Sequence, residues 1–203
     1  VGGTKTPDID AIVALSPEVV VMCDEENRRE DADALAAAGL TVHSCSPRSV
    51  HEVATALARL AVAVGRPEAA AGAGSVGAGP VAEELPVLEP LDASAFVPIW
   101  RRPWMSLARD TYGSSLLAAI GVTNVCADSP DRYPEVDLDD VRRTHPSVVL
   151  VPSEPYAFKD AHLAELADVA PPVRVDGQDL FWWGARTPGA VRRLHAAVAH
   201  ALG

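Results

Sequence analysis

The chain has 203 residues, with 28 acidic side chains against 17 Lys and Arg and a net charge of −11. At 48% hydrophobic and 22% charged it can bury a real core, which rules out intrinsic disorder. The acidic balance argues against nucleic acid or an anionic membrane as main partner, since both need a basic face. No apolar run approaches the ~18 residues of a bilayer span, so no membrane span is expected; no charged-then-apolar leader opens the sequence, so no signal peptide is visible in it, though the sequence can begin after one.

In chain order, Pro7–Leu15 carries Ile9, Ile12, Val13 and Leu15 at helical spacing, with Pro7 and Asp8 as start signals. Glu18–Cys23 is a short β-branched run and reads as a buried strand. Arg28–Ala38 is an Ala-rich helix stopped by Gly39, and Leu40–Cys45 a second strand. Ser49–Val64 places Val50, Val53, Leu57, Leu60, Ala61 and Val64 on one stripe, with Ser49 and Glu52 spaced as a capping box. The Gly-rich Ala69–Pro80, followed by a Pro-rich stretch, reads as a linker. Beyond it come a strand at Ala95–Trp100, a helix at Thr111–Ile120 closed by Gly121, and a helix at Asp137–Thr144. Strands at Ser147–Val151 and Val173–Asp176 and a helix at Pro188–Leu202 complete the order. Strands alternating with helices imply an α/β fold with parallel sheets covered by helices.

The two halves differ in packing chemistry, because all ten aromatic residues lie after position 95. The expected organisation is an N-terminal lobe over 1–48, a connecting helix and linker over 49–93, and a C-terminal lobe over 94–203. Cys23, Cys45 and Cys126 are too few and too scattered for a disulfide framework or a zinc site. They read as buried thiols, with a Cys23–Cys45 pair as the alternative, since both stand where apolar strands end.

The halves also repeat. A shift of 129 residues lays Ile9–Glu25 without a gap on Leu138–Glu154. Asp10 then falls on Asp139, Pro17 on Pro146, Val19 and Val20 on Val148 and Val149, and Glu25 on Glu154. Each copy is a helix, a Pro turn, an apolar strand and an acidic residue past the strand end. From Ser94 to Leu138 run 44 residues, whereas 8 precede Ile9, a deficit of 36, or about one β-α-β unit. The first lobe is therefore expected to lack an opening strand and helix, which would leave strand edges and apolar faces open; either the sequence is a piece of a longer chain or the lobe is covered by other means.

The run VGGTKTPDIDAIVALSPEVVVMCDEENRREDADALAAAGLTVHS is similar to part of the substrate-binding proteins of ABC importers for metal chelates. These are the helical-backbone receptors for vitamin B12, haem and siderophores. The shared marks are the Gly2-Gly3 turn before a helix, the SPEVVV strand, and AAAGLTV leading into the next strand. In the second half FVPIWRRPWMSLARDTYGSSLLAAIGVTNV and HPSVVLV continue the likeness, with the cobalamin-binding branch closest. The resemblance implies two α/β lobes of the class III periplasmic-binding-protein type joined by one long helix, here starting near Ser49 and interrupted after Val64 by Gly65 and Pro67. It implies a metal-chelate ligand between the lobes, an ABC permease as partner, an extracytoplasmic location, and no cofactor beyond any metal the ligand carries. It also implies one surface glutamate per lobe for permease docking. Those positions fall close to Arg29, with Glu30 beside it, and near Gly184, where no acidic residue lies close by.

Ligands of open α/β sheets bind outside the carboxyl ends of the strands. That rule nominates the loops Asp24–Asn27, Trp100–Met105, Pro152–Phe158 and Leu180–Gly184, and the resemblance adds the Gly2-Gly3-Thr4 turn. The expected ligand-binding residues are Gly3, Thr4, Glu25, Glu26, Asn27, Trp100, Arg101, Arg102, Trp104, Glu154, Tyr156, Trp182 and Trp183. Trp faces stack on flat conjugated ligands, and an arginine fork grips carboxylate or phosphate. Arg101 and Arg102 read equally as partners of Glu25, Glu26 or Glu154, and as neighbours only one of them should face a ligand. Phe96 and Phe181 read as core. The six histidines are scattered and read as structural, so no metal site is expected. No nucleophile elbow, P-loop or zinc-protease motif is present, so the expected work is capture without catalysis. An intracellular carrier of the same fold and an enzyme using the carboxylates and arginines stay as rival readings.

Overall fold

The 129-residue repeat is a structural repeat. In the first copy α1 (Ile9–Ala14) runs into β3 (Val20–Met22), and in the second α6 (Leu138–Arg143) runs into β7 (Val148–Pro152). Asp8 caps α1 by accepting from the Ala11 amide, and Asp137 caps α6 by accepting from the Asp139 amide. Each helix then ends on a non-glycine residue in the left-handed region, Ser16 at φ 48° and His145 at φ 51°. A proline follows each, so the helix cannot resume. The closing bonds match: the Ser16 amide donates to the Val13 carbonyl at 3.0 Å, and the His145 amide to the Arg142 carbonyl at 3.1 Å. The left-handed residue stands at the same place in both copies although the side chains differ, His being one of the types enriched in that region and Ser not.

The computed structural model describes residues 1–71 and 85–203. They fall into two compact units, 1–47 with 54–71, and 48–53 with 85–203. In the first unit a short antiparallel hairpin, β1 (Gly2–Gly3) and β2 (Thr6–Pro7), precedes α1. Gly2 sits at φ 79°, and a Cβ there would lie 2.5 Å from the Thr6 carbonyl oxygen, so this turn requires glycine. After β3 come α2 (Arg29–Ala37), ended by Gly39 at φ 87°, and β4 (Val42–Ser44). β4 pairs with β3 in parallel, Val20 opposite Val42 and Met22 opposite Ser44.

A 3-10 turn at Val50–Glu52 leads into α3 (Val53–Ala63), and α4 (Pro67–Ala71) follows. The capping box expected at Ser49 does not form. Glu52 instead accepts from the Arg48 amide at 2.8 Å, because the chain enters through a 3-10 turn that displaces the first helical residues. The stripe read through to Val64 ends at Ala63, with Gly65 at φ 71° and the Arg66 amide closing on the Ala61 carbonyl. The linker expected at Ala69–Pro80 overlaps the end of α4, and its remainder lies outside the described residues.

The second unit holds a four-stranded parallel sheet of order β6-β5-β7-β8. Its strands are β5 (Ala93–Phe96), β6 (Val122–Asn124), β7 and β8 (Pro172–Val175). The strand expected over Ala95–Trp100 stops at Phe96, since Pro98 offers no amide to a ladder. Helices α5 (Tyr112–Ala119), α7 (Asp160–Ala167), α8 (Gly177–Phe181) and α9 (Thr187–Leu202) complete the unit. α7 and α8 were not anticipated. Val149 and Val151 point with Phe96 into a core closed by Val141 of α6 and Leu166 of α7. The alternate β7 residues Val148 and Leu150 face the other side, and α9 packs on β7 and β8. Every residue of β7 is buried.

β7 is paired on both edges, by β5 and β8. Its counterpart β3 is paired, among the described residues, by β4 alone. The burial differs accordingly: Leu150 is wholly buried while Val21, its equivalent under the 129-residue shift, is 46% exposed. The strand and helix that precede the repeat in the second unit have no counterpart among the described residues of the first.

Candidate functional site

The carboxyl ends of β5, β7 and β8 carry three of the nominated loops on one unit. Past β5 the chain makes a tight turn in which the Met105 amide donates to the Trp100 carbonyl at 3.1 Å and the Ile99 amide to the Met105 carbonyl at 2.9 Å. Arg102 stands at the tip of this turn with φ 72°, before a cis bond to Pro103. The Trp104 carbonyl accepts from the Val136 amide, which pins the turn to the segment leading into α6.

Five rings gather there. Trp100 meets Tyr156 edge-on at 5.2 Å between centroids, and Tyr156 lies 4.8 Å from Phe158. Trp104 runs parallel to Phe158, offset at 6.0 Å, and His162 of α7 closes on both Tyr156 and Phe158. Such pairs contribute about 0.5–1.5 kcal/mol each beyond their buried area, so the cluster is a stiff platform. Phe158 is its buried base and Trp100, 44% exposed, its open face. Of the pair Trp100 and Trp104, the second is therefore the more committed to packing.

The two arginines divide. Arg101 makes a two-pronged ion pair with Glu165 of α7 at 2.7–3.2 Å, and its guanidinium lies 5.5 Å from the Trp104 ring centre. Its side chain is only 15% exposed, so the charge is already satisfied and the group braces the platform. The partner is Glu165, not Glu25, Glu26 or Glu154. Arg102 is exposed and has no ion-pair partner among the described residues. Of the two neighbours, Arg102 is the one left open.

The loop after β7 begins with Ser153, whose hydroxyl accepts from the Gly177 amide at 3.0 Å. A Cβ on Gly177 would lie 2.5 Å from Glu154 Cγ and 2.7 Å from its amide nitrogen, so α8 starts in direct contact with this loop. Glu154 itself is half-buried and precedes a cis bond to Pro155. The stretch expected as a loop at Leu180–Gly184 is helical up to Phe181, because Asp176 caps α8 by accepting from the Gln178 amide. Trp182, 52% exposed, and the half-buried Trp183 follow the helix, and no ring contact joins them to the Trp100–Tyr156 cluster. Phe96 is wholly buried, whereas Phe181 is half-buried, less enclosed than expected.

Behind the Trp182–Trp183 segment lies a buried carboxylate. Asp179 accepts from Arg193 Nε at 2.7 Å and Arg193 Nη2 at 2.6 Å, and from Arg186 Nη2 at 2.8 Å. The Arg193 bonds first, then those of Arg186, hold its carboxyl below the usual carboxylate range against the opposing effect of burial. This network ties α8 to α9 and fixes the backbone from which both tryptophans project.

On the first unit the hairpin and the loop past β3 are bound together. Asn27 Nδ2 donates to the Thr4 carbonyl at 3.0 Å, and Asn27 Oδ1 accepts from the Cys23 amide at 2.9 Å. The Lys5 ammonium donates to the Glu25 carbonyl at 2.7 Å. Thr4, Glu25 and Asn27 are thus brought together, with Asn27 acting as a staple. Gly3 and Glu26 are exposed beside them. Among the described residues no three His, Cys, Asp or Glu side chains cluster as a metal site, and no helix is long and apolar enough to cross a membrane.

Sequence reasoning missed Glu165 and Gly177, and gave Ser153 and His162 no part beyond a nominated loop and a structural histidine. Glu165 is 64 positions from Arg101 and no local spacing links them. A capping Asp176 two residues before Gln178 was the one available signal for α8.

The chain resembles known proteins along nearly its whole length. The vitamin B12-binding protein of Pectobacterium carotovorum subsp. carotovorum (strain PC1) is 22% identical over 185 residues, covering 86% of this chain and 64% of that protein. The chain spans less than two thirds of the length of the curated relatives it matches. Among solved structures, the periplasmic vitamin B12-binding protein BtuF of Vibrio cholerae superposes with a TM-score of 0.74 at 19% identity, over 98% of this chain and 80% of that one. The periplasmic heme-binding protein BhuT in complex with two hemes gives 0.77 at 20% identity, over 98% and 81%. These likenesses carry the class III periplasmic-binding-protein fold. The family described as periplasmic binding protein matches residues 1–168. On that match the chain belongs to the periplasmic binding protein family.

Proposed function

We propose that this protein captures a flat metal chelate, of the corrinoid, haem or siderophore kind, for import through an ABC permease. The observation that carries the reading is the braced aromatic platform at the carboxyl end of the second unit's sheet, with Trp100 as its open face and the unpaired Arg102 beside it. A conjugated ring or chelate gains dispersion and apolar burial on an indole face. The rim of such ligands carries carboxylate or phosphate, which an unpaired guanidinium at a turn tip can grip by two parallel hydrogen bonds. Arg101 does not take this role, since Glu165 already neutralises it. The platform is built before any ligand arrives, which lowers the ordering cost of binding. Trp182, Trp183, Glu154 and Tyr156 are proposed as further contacts. The work is capture and release, with the ligand unchanged.

The test is a titration of cobalamin, haem and a ferric siderophore against tryptophan fluorescence, with native mass spectrometry to count bound ligand. Saturable binding of one chelate is expected. Trp100→Ala and Arg102→Ala should each weaken it about tenfold or more, while Arg101→Ala should weaken it less. No chelate bound, or affinity untouched in both Trp100→Ala and Arg102→Ala, would refute the assignment.

A further inference from the structure

The pairing of β3 with β4 runs in register through Met22 opposite Ser44. Extending that register by one residue sets Cys23 against Cys45, and the Cys45 amide still donates to the Met22 carbonyl at 3.0 Å. Neighbouring strands lie about 4.8 Å apart, inside the range of Cα separations that a disulfide spans. Residues opposite each other in a parallel pair project to the same face. The Cys23 sulfur already leans over the end of β4, 3.4 Å from Ser46 Oγ. Burial first, and then the charges of Cys23 and Asp24, push the Cys45 thiol up. Cys45 is buried and Cys23 half-buried, and both are free thiols in this structure.

We propose that Cys23 and Cys45 form a reversible redox site, closing to an intramolecular disulfide between the carboxyl ends of β3 and β4. The oxidant is a low-molecular-weight or protein disulfide. Cys23, the more accessible of the two, loses its proton and attacks one sulfur of that disulfide, forming a mixed disulfide and releasing the first thiol of the oxidant. Cys45 then gives up its proton and attacks Cys23 Sγ, releasing the second. The protein loses two protons and two electrons, and the oxidant's S–S bond becomes two thiols. The bond would fasten β4 to the point where the Asp24–Asn27 loop leaves β3. That loop is already cross-linked by Ser46, whose Oγ accepts from the Asp24 amide at 2.6 Å. The proposal is independent of which ligand the protein captures.

The experiment equilibrates the full chain with oxidised glutathione, quenches with acid, and counts free thiols by alkylation and intact mass. The expected result is a fall from three free thiols to one, a mass lower by two hydrogens, a Cys23–Cys45 peptide on digestion, and full reversal by a dithiol. Cys45→Ser should instead stop at a glutathione adduct on Cys23, and Cys23→Ser should leave Cys45 unmodified over the same interval. Three thiols remaining in the native chain, a stable glutathione adduct without ring closure, or a bond involving Cys126 or a second chain would overturn the proposal. The native-chain measurement stands even if a variant fails to fold.

Discussion

Asp179→Asn keeps the size and shape of a side chain that is 3% exposed and removes its charge. In the native protein that carboxylate accepts three charge-assisted hydrogen bonds, two from Arg193 and one from Arg186. Hydrogen bonds to charged groups contribute about 1.5–3 kcal/mol each when both partners are buried. Here Arg193 is 56% exposed and rehydrates when released, so its two bonds count for a fraction of that. Arg186 is 28% exposed, and its buried Nε has no partner, so it recovers less. The net loss is about 2–3 kcal/mol, which corresponds to a melting temperature lower by about 4–12 °C. All four tryptophans lie in the second unit, so fluorescence follows the unit that contains Asp179 and is silent to the first. The pH dependence has a definite sign. A carboxyl held below its unfolded value stabilises the fold above that value, ordinarily about 3.9, and the stabilisation is lost as pH falls through the lower folded value. The gap between native protein and variant should therefore be full at pH 7 and narrow below about pH 4. A variant melting within about 1 °C of the native protein at pH 7, or a gap that fails to narrow in acid, would refute the reasoning.

Gly177→Ala places a methyl group against the Glu154 backbone, where no flexible tip can yield. It should cost about 1–3 kcal/mol in thermal unfolding and weaken chelate binding as the Glu154–Tyr156 loop shifts. Leu150→Ala and Val21→Ala probe equivalent positions of the repeat. Urea titration should show a loss of about 2–5 kcal/mol for the buried leucine and below about 1 kcal/mol for the half-exposed valine. Arg101→Ala should lower the melting temperature of the second unit by a few degrees through loss of the Glu165 pair and the Trp104 contact, an effect that 1 M salt reduces.

What the sequence discloses is what is local. The Asp8 and Asp137 caps, Pro17 and Pro146, and the apolar runs after them are short-range signals, and they locate the repeated helix–strand unit to within two residues. Gly39 and Gly121 stop their helices as their position demands. Pairings between distant residues are a different matter. Arg101 lay between two roles until α7 supplied Glu165, and α7 has too weak an apolar stripe to announce itself. The same limit hid the Asp179 network, whose arginines sit 7 and 14 positions away across a turn. Among the nominated contacts, the aromatic residues past β5 and β7 converge because parallel strands deliver their loops to one end of a sheet. That much follows from topology. Which ring lies open and which lies beneath depends on packing that no spacing records.

The matched turns at Ser16 and His145 make the two helix–strand segments exchangeable parts. Each begins on a capping aspartate, bends at a left-handed residue before proline, and delivers a strand along the same path. A chimera carrying residues 8–22 in place of 137–151 would offer the same cap, turn and proline while importing the first copy's side chains. Its stability would measure, in one number, what being enclosed on both sides has demanded of this stretch of chain.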